Sequence, residues 1–189
     1  MSKWFIVPAL LLALPLCAEW PGDNKVGGQI RLDVPGADLP DAVGSSAPGL
    51  GLSIQAELHT PPFRFERSES MICARLELGG DAWRKLGGSG DRSVDAYHVG
   101  CDVLYFLKDD GREFLNGPYL IGGVEGMAWV VGAEASSTGM QERAFRAGFS
   151  VGLGCRLSES TDVELKFLGS QVDPSLKVGV AMLCLDVWL

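Results

Sequence analysis

The sequence predicts an all-β chain, an eight-stranded antiparallel up-and-down transmembrane β-barrel, on three observations. Apolar residues recur at every second position in eight short runs, and clusters of Gly, Pro, Asp, Asn and Ser separate those runs. The residues opposing the apolar ones are small or carry isolated charges of both signs, unlike the Lys- and Glu-rich surface of a soluble sheet. Period 2 marks a strand, whose side chains point alternately to two faces.

The first run sets Val26, Ile30, Leu32 and Val34 against Gly27, Gln29, Arg31 and Asp33. The second opposes Leu50, Leu52, Ile54, Ala56 and Leu58 to Gly51, Ser53, Gln55, Glu57 and His59, and the third Ile72, Ala74, Leu76 and Leu78 to Cys73, Arg75, Glu77 and Gly79. In the fourth, Tyr97, Val99, Cys101, Val103, Tyr105 and Leu107 alternate with His98, Gly100, Asp102, Leu104 and Phe106. The fifth places Leu120, Val124, Ala128 and Val130 opposite Ile121, Glu125, Met127 and Trp129. The sixth is the cleanest, with Phe145, Ala147, Phe149, Val151, Leu153, Cys155 and Leu157 against Ala144, Arg146, Gly148, Ser150, Gly152, Gly154 and Arg156. The seventh opposes Val163, Leu165 and Phe167 to Asp162, Glu164 and Lys166. The eighth, 176–189, is apolar on both faces, which leaves the side taken by Asp186 and Trp188 open. Turn and loop composition marks 35–48, 60–70, 79–93, 108–118, 133–143, 158–162 and 169–175, and no segment carries a helical stripe.

A chain of 189 residues forms one domain. Its net charge of -8 excludes nucleic acid as a partner, which requires clustered Lys and Arg. Residues 1–18 read as a secretory signal: Lys3, an apolar stretch from Trp4 to Leu14 too short to span a bilayer, and Ala18 before the cut. The barrel then occupies 19–189. Four cysteines follow the signal, Cys73, Cys101, Cys155 and Cys184, which allow two disulfides in three connectivities or serve as small hydrophobes within strands. Free thiols are the expectation.

A lipid environment explains both the charge-free apolar face and the need for closure, because an unpaired strand edge in hydrocarbon costs several kcal/mol per backbone group. An even strand number puts both termini on one side. With the N-terminus in the periplasm, 35–48, 79–93, 133–143 and 169–175 face outside, with Trp83 as their one aromatic anchor. Tyr97, Tyr105, Tyr119, Phe145 and Phe167 suit interfacial girdles or ordinary strand packing.

The stretch Leu104-Tyr105-Phe106-Leu107-Lys108-Asp109-Asp110-Gly111, followed by Gly117-Pro118-Tyr119-Leu120-Ile121-Gly122-Gly123-Val124, resembles the strand, turn and strand opening of the small outer-membrane β-barrels of the OmpA, OmpX and OmpW type. The resemblance covers the mature chain in pattern. It implies an outer-membrane location, contact with outer-membrane lipid and lipopolysaccharide, insertion by the barrel-assembly machinery, and a monomer. Such chains usually end in an aromatic residue; here Trp188 stands one place before the end.

Polar faces lining one narrow lumen bring together Arg31, Glu57, Arg75, Glu77, Asp102, Glu125, Arg146, Arg156, Glu164 and Lys166. Buried charges of both signs pair, so a network of ion pairs that fills the interior is expected. A narrow channel for small or apolar solutes is the alternative, and a soluble periplasmic lipid-binding barrel is the second. An enzyme is not expected: the nearest catalytic grouping is His98 with Ser93 and Asp95, and Ser93 and Asp95 read more simply as the polar end of a loop. No phosphate-binding loop or metal-ligand spacing is present in the sequence, and no cofactor is expected.

Overall fold

The computed structural model describes residues 24–43, 48–58, 71–84, 93–107, 117–132, 142–173 and 176–189. The signal segment 1–18 and His59 lie outside them. Eight strands form in chain order: β1 (Lys25–Ala37), β2 (Gly49–Leu58), β3 (Met71–Arg84), β4 (Ser93–Phe106), β5 (Gly117–Val131), β6 (Glu142–Ser158), β7 (Thr161–Asp173) and β8 (Leu176–Trp188). A short helix, α1 (Leu39–Val43), lies between β1 and β2. Every strand pairs antiparallel with its sequence neighbours, and β1 pairs with β8 to close the barrel. The start of β1 and the end of β8 lie at one rim, here the terminal rim; α1 lies at the other.

Alternation assigns the two faces correctly in the runs it resolves. Ile30, Leu52, Leu78, Val99, Val124, Phe149, Leu165 and Leu183 point outward and are exposed. Among the described residues, charged groups on the outward face of the strands are confined to the α1 rim, at Arg84, Asp95, Arg143 and Lys177. In the eighth strand, Asp186 and Trp188 turn inward, and both are buried.

The structure corrects several boundaries. Strand pairing continues through Pro35 to Ala37, through Gly79 to Arg84 and through Gly169 to Asp173, all within stretches whose composition reads as loop. The glycines there make room for aromatic rings. A methyl group added at Gly169 would stand 2.5 Å from the Phe149 ring, and one at Gly80 would stand 3.2 Å from that of Tyr97. The same relation recurs with Phe145 over Gly126 and Phe167 over Gly179 outside, and with Trp83 over Gly49, Trp188 over Gly27 and Tyr119 over Gly154 inside. Tyr119 therefore belongs to the interior rather than to a girdle, and Trp83 is an inward residue of β3 rather than a loop anchor.

Helix α1 is too short to leave a periodic stripe in the sequence. Ala37, at a positive φ of 52°, redirects the chain out of β1, and Pro40 fits the first turn, where its missing N–H costs nothing. Asp38 ties the junction to β8: its N–H donates to the Lys177 carbonyl at 3.2 Å, and its carboxylate accepts from the Lys177 N–H at 2.9 Å.

Candidate functional site: the lumen

Inward side chains fill the barrel in three layers. Under the α1 rim the lumen is apolar: Leu39 and Val43 of α1 pack on Trp83, Val94, Met127, Trp129, Val131, Leu168, Val172, Val178, Val180 and Met182. The indoles of Trp83 and Trp129 stack with centroids 6.0 Å apart. The polar lining expected from the sequence therefore stops short of this rim, where the inward halves of β5 and β8 are apolar. Burying these side chains against one another is worth roughly 1.5–3 kcal/mol for each large one.

The middle layer is ionic, and its contacts run across the barrel as well as along the wall. Arg75 on β3 meets Glu164 on β7, Nη1 to Oε1 at 2.5 Å, and also donates from Nη2 to Asp102 on β4 at 2.7 Å. Lys166 on β7 reaches Asp102 at 3.0 Å, Glu77 at 3.3 Å and Glu125 at 4.0 Å. Arg31 on β1 pairs with Glu77 and, at 2.7 Å, with Asp81. His98 stands between the same two carboxylates, with Nε2 3.1 Å from Glu77 and Nδ1 3.3 Å from Asp81. Gln29 donates its amide to Asp186 at 2.7 Å and to Glu164 at 3.3 Å, and so bridges two carboxyls.

Toward the terminal rim, Arg156 on β6 donates to Glu57 on β2 at 2.9 and 2.5 Å and to Asp162 on β7 at 2.8 Å. Its guanidinium lies 5.0 Å from the Phe106 ring centroid and 5.7 Å from that of Trp188, a cation–π arrangement on two sides. The Tyr119 hydroxyl donates to Glu164 at 2.6 Å. Cys73, Leu104, Phe106, Tyr119 and Ile121 form an apolar cluster beside it.

Of the ten residues expected in the lumen network, nine are buried and lie within it: Arg31, Glu57, Arg75, Glu77, Asp102, Glu125, Arg156, Glu164 and Lys166. Arg146 is the exception. It shares the inward parity of β6 but sits beyond the last β6–β7 pair, Gly148 with Ser170, and is exposed, with Nη1 donating to the Phe145 carbonyl at 2.9 Å. Sequence reasoning omits Asp33, Asp81, His98, Asp162 and Asp186 from the network. Asp33, His98 and Asp162 carry a legible signal, since each shares a face with a residue already in it.

The grouping of His98 with Ser93 and Asp95 does not form. His98 points into the lumen toward Glu77 and Asp81, whereas Asp95 lies on the opposite face, paired with Arg84 at 2.5 Å. Cys73 and Cys184 are buried inside and Cys101 and Cys155 lie on the outward face; all four are free thiols. Among the described residues no group of His, Cys, Asp and Glu has metal-binding geometry.

The closed, all-antiparallel eight-strand order is matched among known structures. The fold is the small outer-membrane β-barrel of the OmpA and OmpX type. The chain is similar to Neisserial surface protein A, with 13% identity over 89% of this chain and 99% of that one at a TM-score of 0.50. It is also similar to Ail, the attachment invasion locus protein of Yersinia pestis, with 12% identity over 88% and 97% and a TM-score of 0.51. The N-terminal β-barrel domain of Pseudomonas aeruginosa OprF is similar at 12% identity over 87% and 97%, with a TM-score of 0.52. No protein-family model and no curated protein matches the sequence.

Proposed function

We propose that this chain is an integral outer-membrane barrel whose role is structural, with an interior sealed by its own side chains. The observation that carries this reading is contact between opposite walls: Arg75 with Glu164 and Arg156 with Glu57 each join strands four places apart in an eight-strand ring. Guanidinium and carboxylate heads in direct contact at these levels, with an apolar layer above them, block a continuous aqueous path. The exposed apolar band on the outward face supports residence in lipid, since a soluble barrel does not leave such a surface to water. Outer-membrane lipid and lipopolysaccharide are then its surroundings, and the barrel-assembly machinery its route of insertion.

Purified protein added to a planar bilayer tests the sealed interior; discrete, salt-dependent openings would favour the narrow channel instead. Cell fractionation with heat-modifiable electrophoretic mobility tests location and closure together. Recovery in the soluble periplasmic fraction would support the lipid-binding alternative.

A further inference from the structure

The ladder between β6 and β7 stops before the strands do. Its last pair toward the α1 rim is Gly148 with Ser170, yet β6 continues through 142–147, still paired to β5 from Gly126 with Ala147 to Val131 with Glu142. Beyond Ser170, β7 follows β8 alone, with Gln171 beside Lys177 and Asp173 beside Leu176. The wall is split at this rim, and β6 presents an open edge on the side toward β7. Such an edge is a template for another strand. Bare backbone groups are costly in hydrocarbon, and the split coincides with the rim where outward charge appears, at Arg84, Asp95, Arg143 and Lys177, a level that water reaches.

Alternate residues of a strand turn their N–H and C=O groups to opposite neighbours, so one parity of β6 belongs to this edge. Ser170 of β7 identifies it, because its Oγ donates to the Ala147 carbonyl at 3.0 Å. Arg143 and Phe145 share that parity. Arg146 Nη1 donates to the Phe145 carbonyl at 2.9 Å, so a side chain stands where a neighbouring strand would donate, while Arg143 has no residue of β7 opposite it.

The edge is also cationic. Arg143 lies on the outward face and Arg146 on the inward parity, both exposed, and Lys177 is exposed on β8 across the split. Among the described residues none of these three has an ion-pair partner, whereas Arg84 is paired with Asp95. We propose that the β6 edge at 143–147 binds an extended acidic peptide by strand addition, antiparallel to β6. Two carboxylates three residues apart, one on each face of the added strand, then stand opposite Arg146 and Arg143, and a β-branched residue stands opposite Phe145. Arg146 releases the Phe145 carbonyl to the incoming N–H and turns to a carboxylate. A second copy of the same edge is the disfavoured occupant, because it brings four guanidiniums together.

The test is the fluorescence anisotropy of a labelled peptide, Thr-Glu-Val-Thr-Glu-Thr-amide, titrated with the full-length protein in neutral detergent. Saturable binding is expected. N-methylation at the valine and the second glutamate, whose N–H groups face β6, should weaken it about tenfold, whereas methylation at the first glutamate and second threonine should leave it within about twofold. On the protein, Arg143→Pro removes an edge N–H without touching the β5 ladder and should cost about tenfold. Arg143→Gln keeps that N–H, removes only the charge and should cost about threefold. Heat-modifiable mobility reports the folding of each variant, and the methylated peptides decide the matter on the parent protein if Arg143→Pro does not fold. Absence of saturable binding overturns the proposal. So does equal affinity for the two methylated peptides, which is attraction by charge alone, or a dimer in sedimentation that Arg143→Pro abolishes, which gives the edge to a second copy of this chain.

Discussion

Arg75 on β3 and Glu164 on β7 meet head to head across the lumen, Nη1 to Oε1 at 2.5 Å and Nη2 to Oε2 at 3.1 Å. This two-bond geometry, with Asp102 as a further acceptor, commits the Arg75 guanidinium to two carboxylates at once. Replacing it with Met strands Glu164 and Asp102 in the lumen, and a loss of about 3–5 kcal/mol is expected in urea unfolding. Pairing Arg75→Met with Glu164→Leu should recover much of that loss, because the second substitution removes one stranded charge. A double variant no more stable than the single one would show that the pair does not act as a unit.

Arg156 tests geometry rather than charge. Lysine keeps the positive charge but loses the planar fork that serves Glu57 and Asp162, along with the stacking on Phe106 and Trp188. Arg156→Lys should cost roughly 1–3 kcal/mol, close to the worth of the lost charge-assisted hydrogen bond. Stability equal to that of the parent would mean that position and charge alone suffice.

Alternation made the two faces of β1 to β7 legible, because lipid outside and a crowded interior impose opposite demands on neighbouring residues. It failed on β8 because Val178, Val180 and Met182 point into the apolar layer, so both faces of that strand are greasy and polarity carries no directional information. Alternation also gives direction without depth. Arg146 and Arg156 have the same parity on β6, yet one lies at the open rim and the other in the ionic layer, and only the stagger of β7 separates them. Asp81 was hidden by Gly79 and Gly80, whose composition signals a turn while the structure uses them to seat neighbouring side chains. Helix α1 spans five residues, with Leu39 and Val43 buried, too short a run for a period to show.

A double-mutant cycle on Phe149 and Gly169 probes that seating. Gly169→Ala should destabilise the barrel by about 1–3 kcal/mol through overpacking, since the added methyl would stand 2.5 Å from the ring. In a Phe149→Ala background the same substitution should cost much less, and the difference is the coupling between ring and glycine. Additive effects would indicate that the ring moves aside freely.

Thiol labelling reports which cysteines the wall conceals. In folded protein in detergent, a small apolar maleimide should modify Cys101 and Cys155 on the outward face and spare Cys73 and Cys184 inside. Unfolding in urea should expose all four. Mobility on a non-reducing gel is expected to match that of the reduced protein; a shift reversed by reductant would place a disulfide where the structure has free thiols.

Alternation distinguishes odd from even shifts between neighbouring strands, but a slip of two residues leaves every side chain on its proper face. The rings seated on glycines remove that ambiguity. Tyr97 lies opposite Gly80, Tyr119 opposite Gly154, Phe149 opposite Gly169 and Trp188 opposite Gly27, one such pair on each of four different seams. A slip of two would set Tyr97 against Leu78 or Ala82, and Phe149 against Phe167 or Gln171, where no notch receives the ring. The summed stagger around a closed sheet is its shear, which together with strand number fixes the radius. These four notches therefore help to set the circumference of the barrel, and with it the span that Arg75 and Arg156 must cross to reach the far wall.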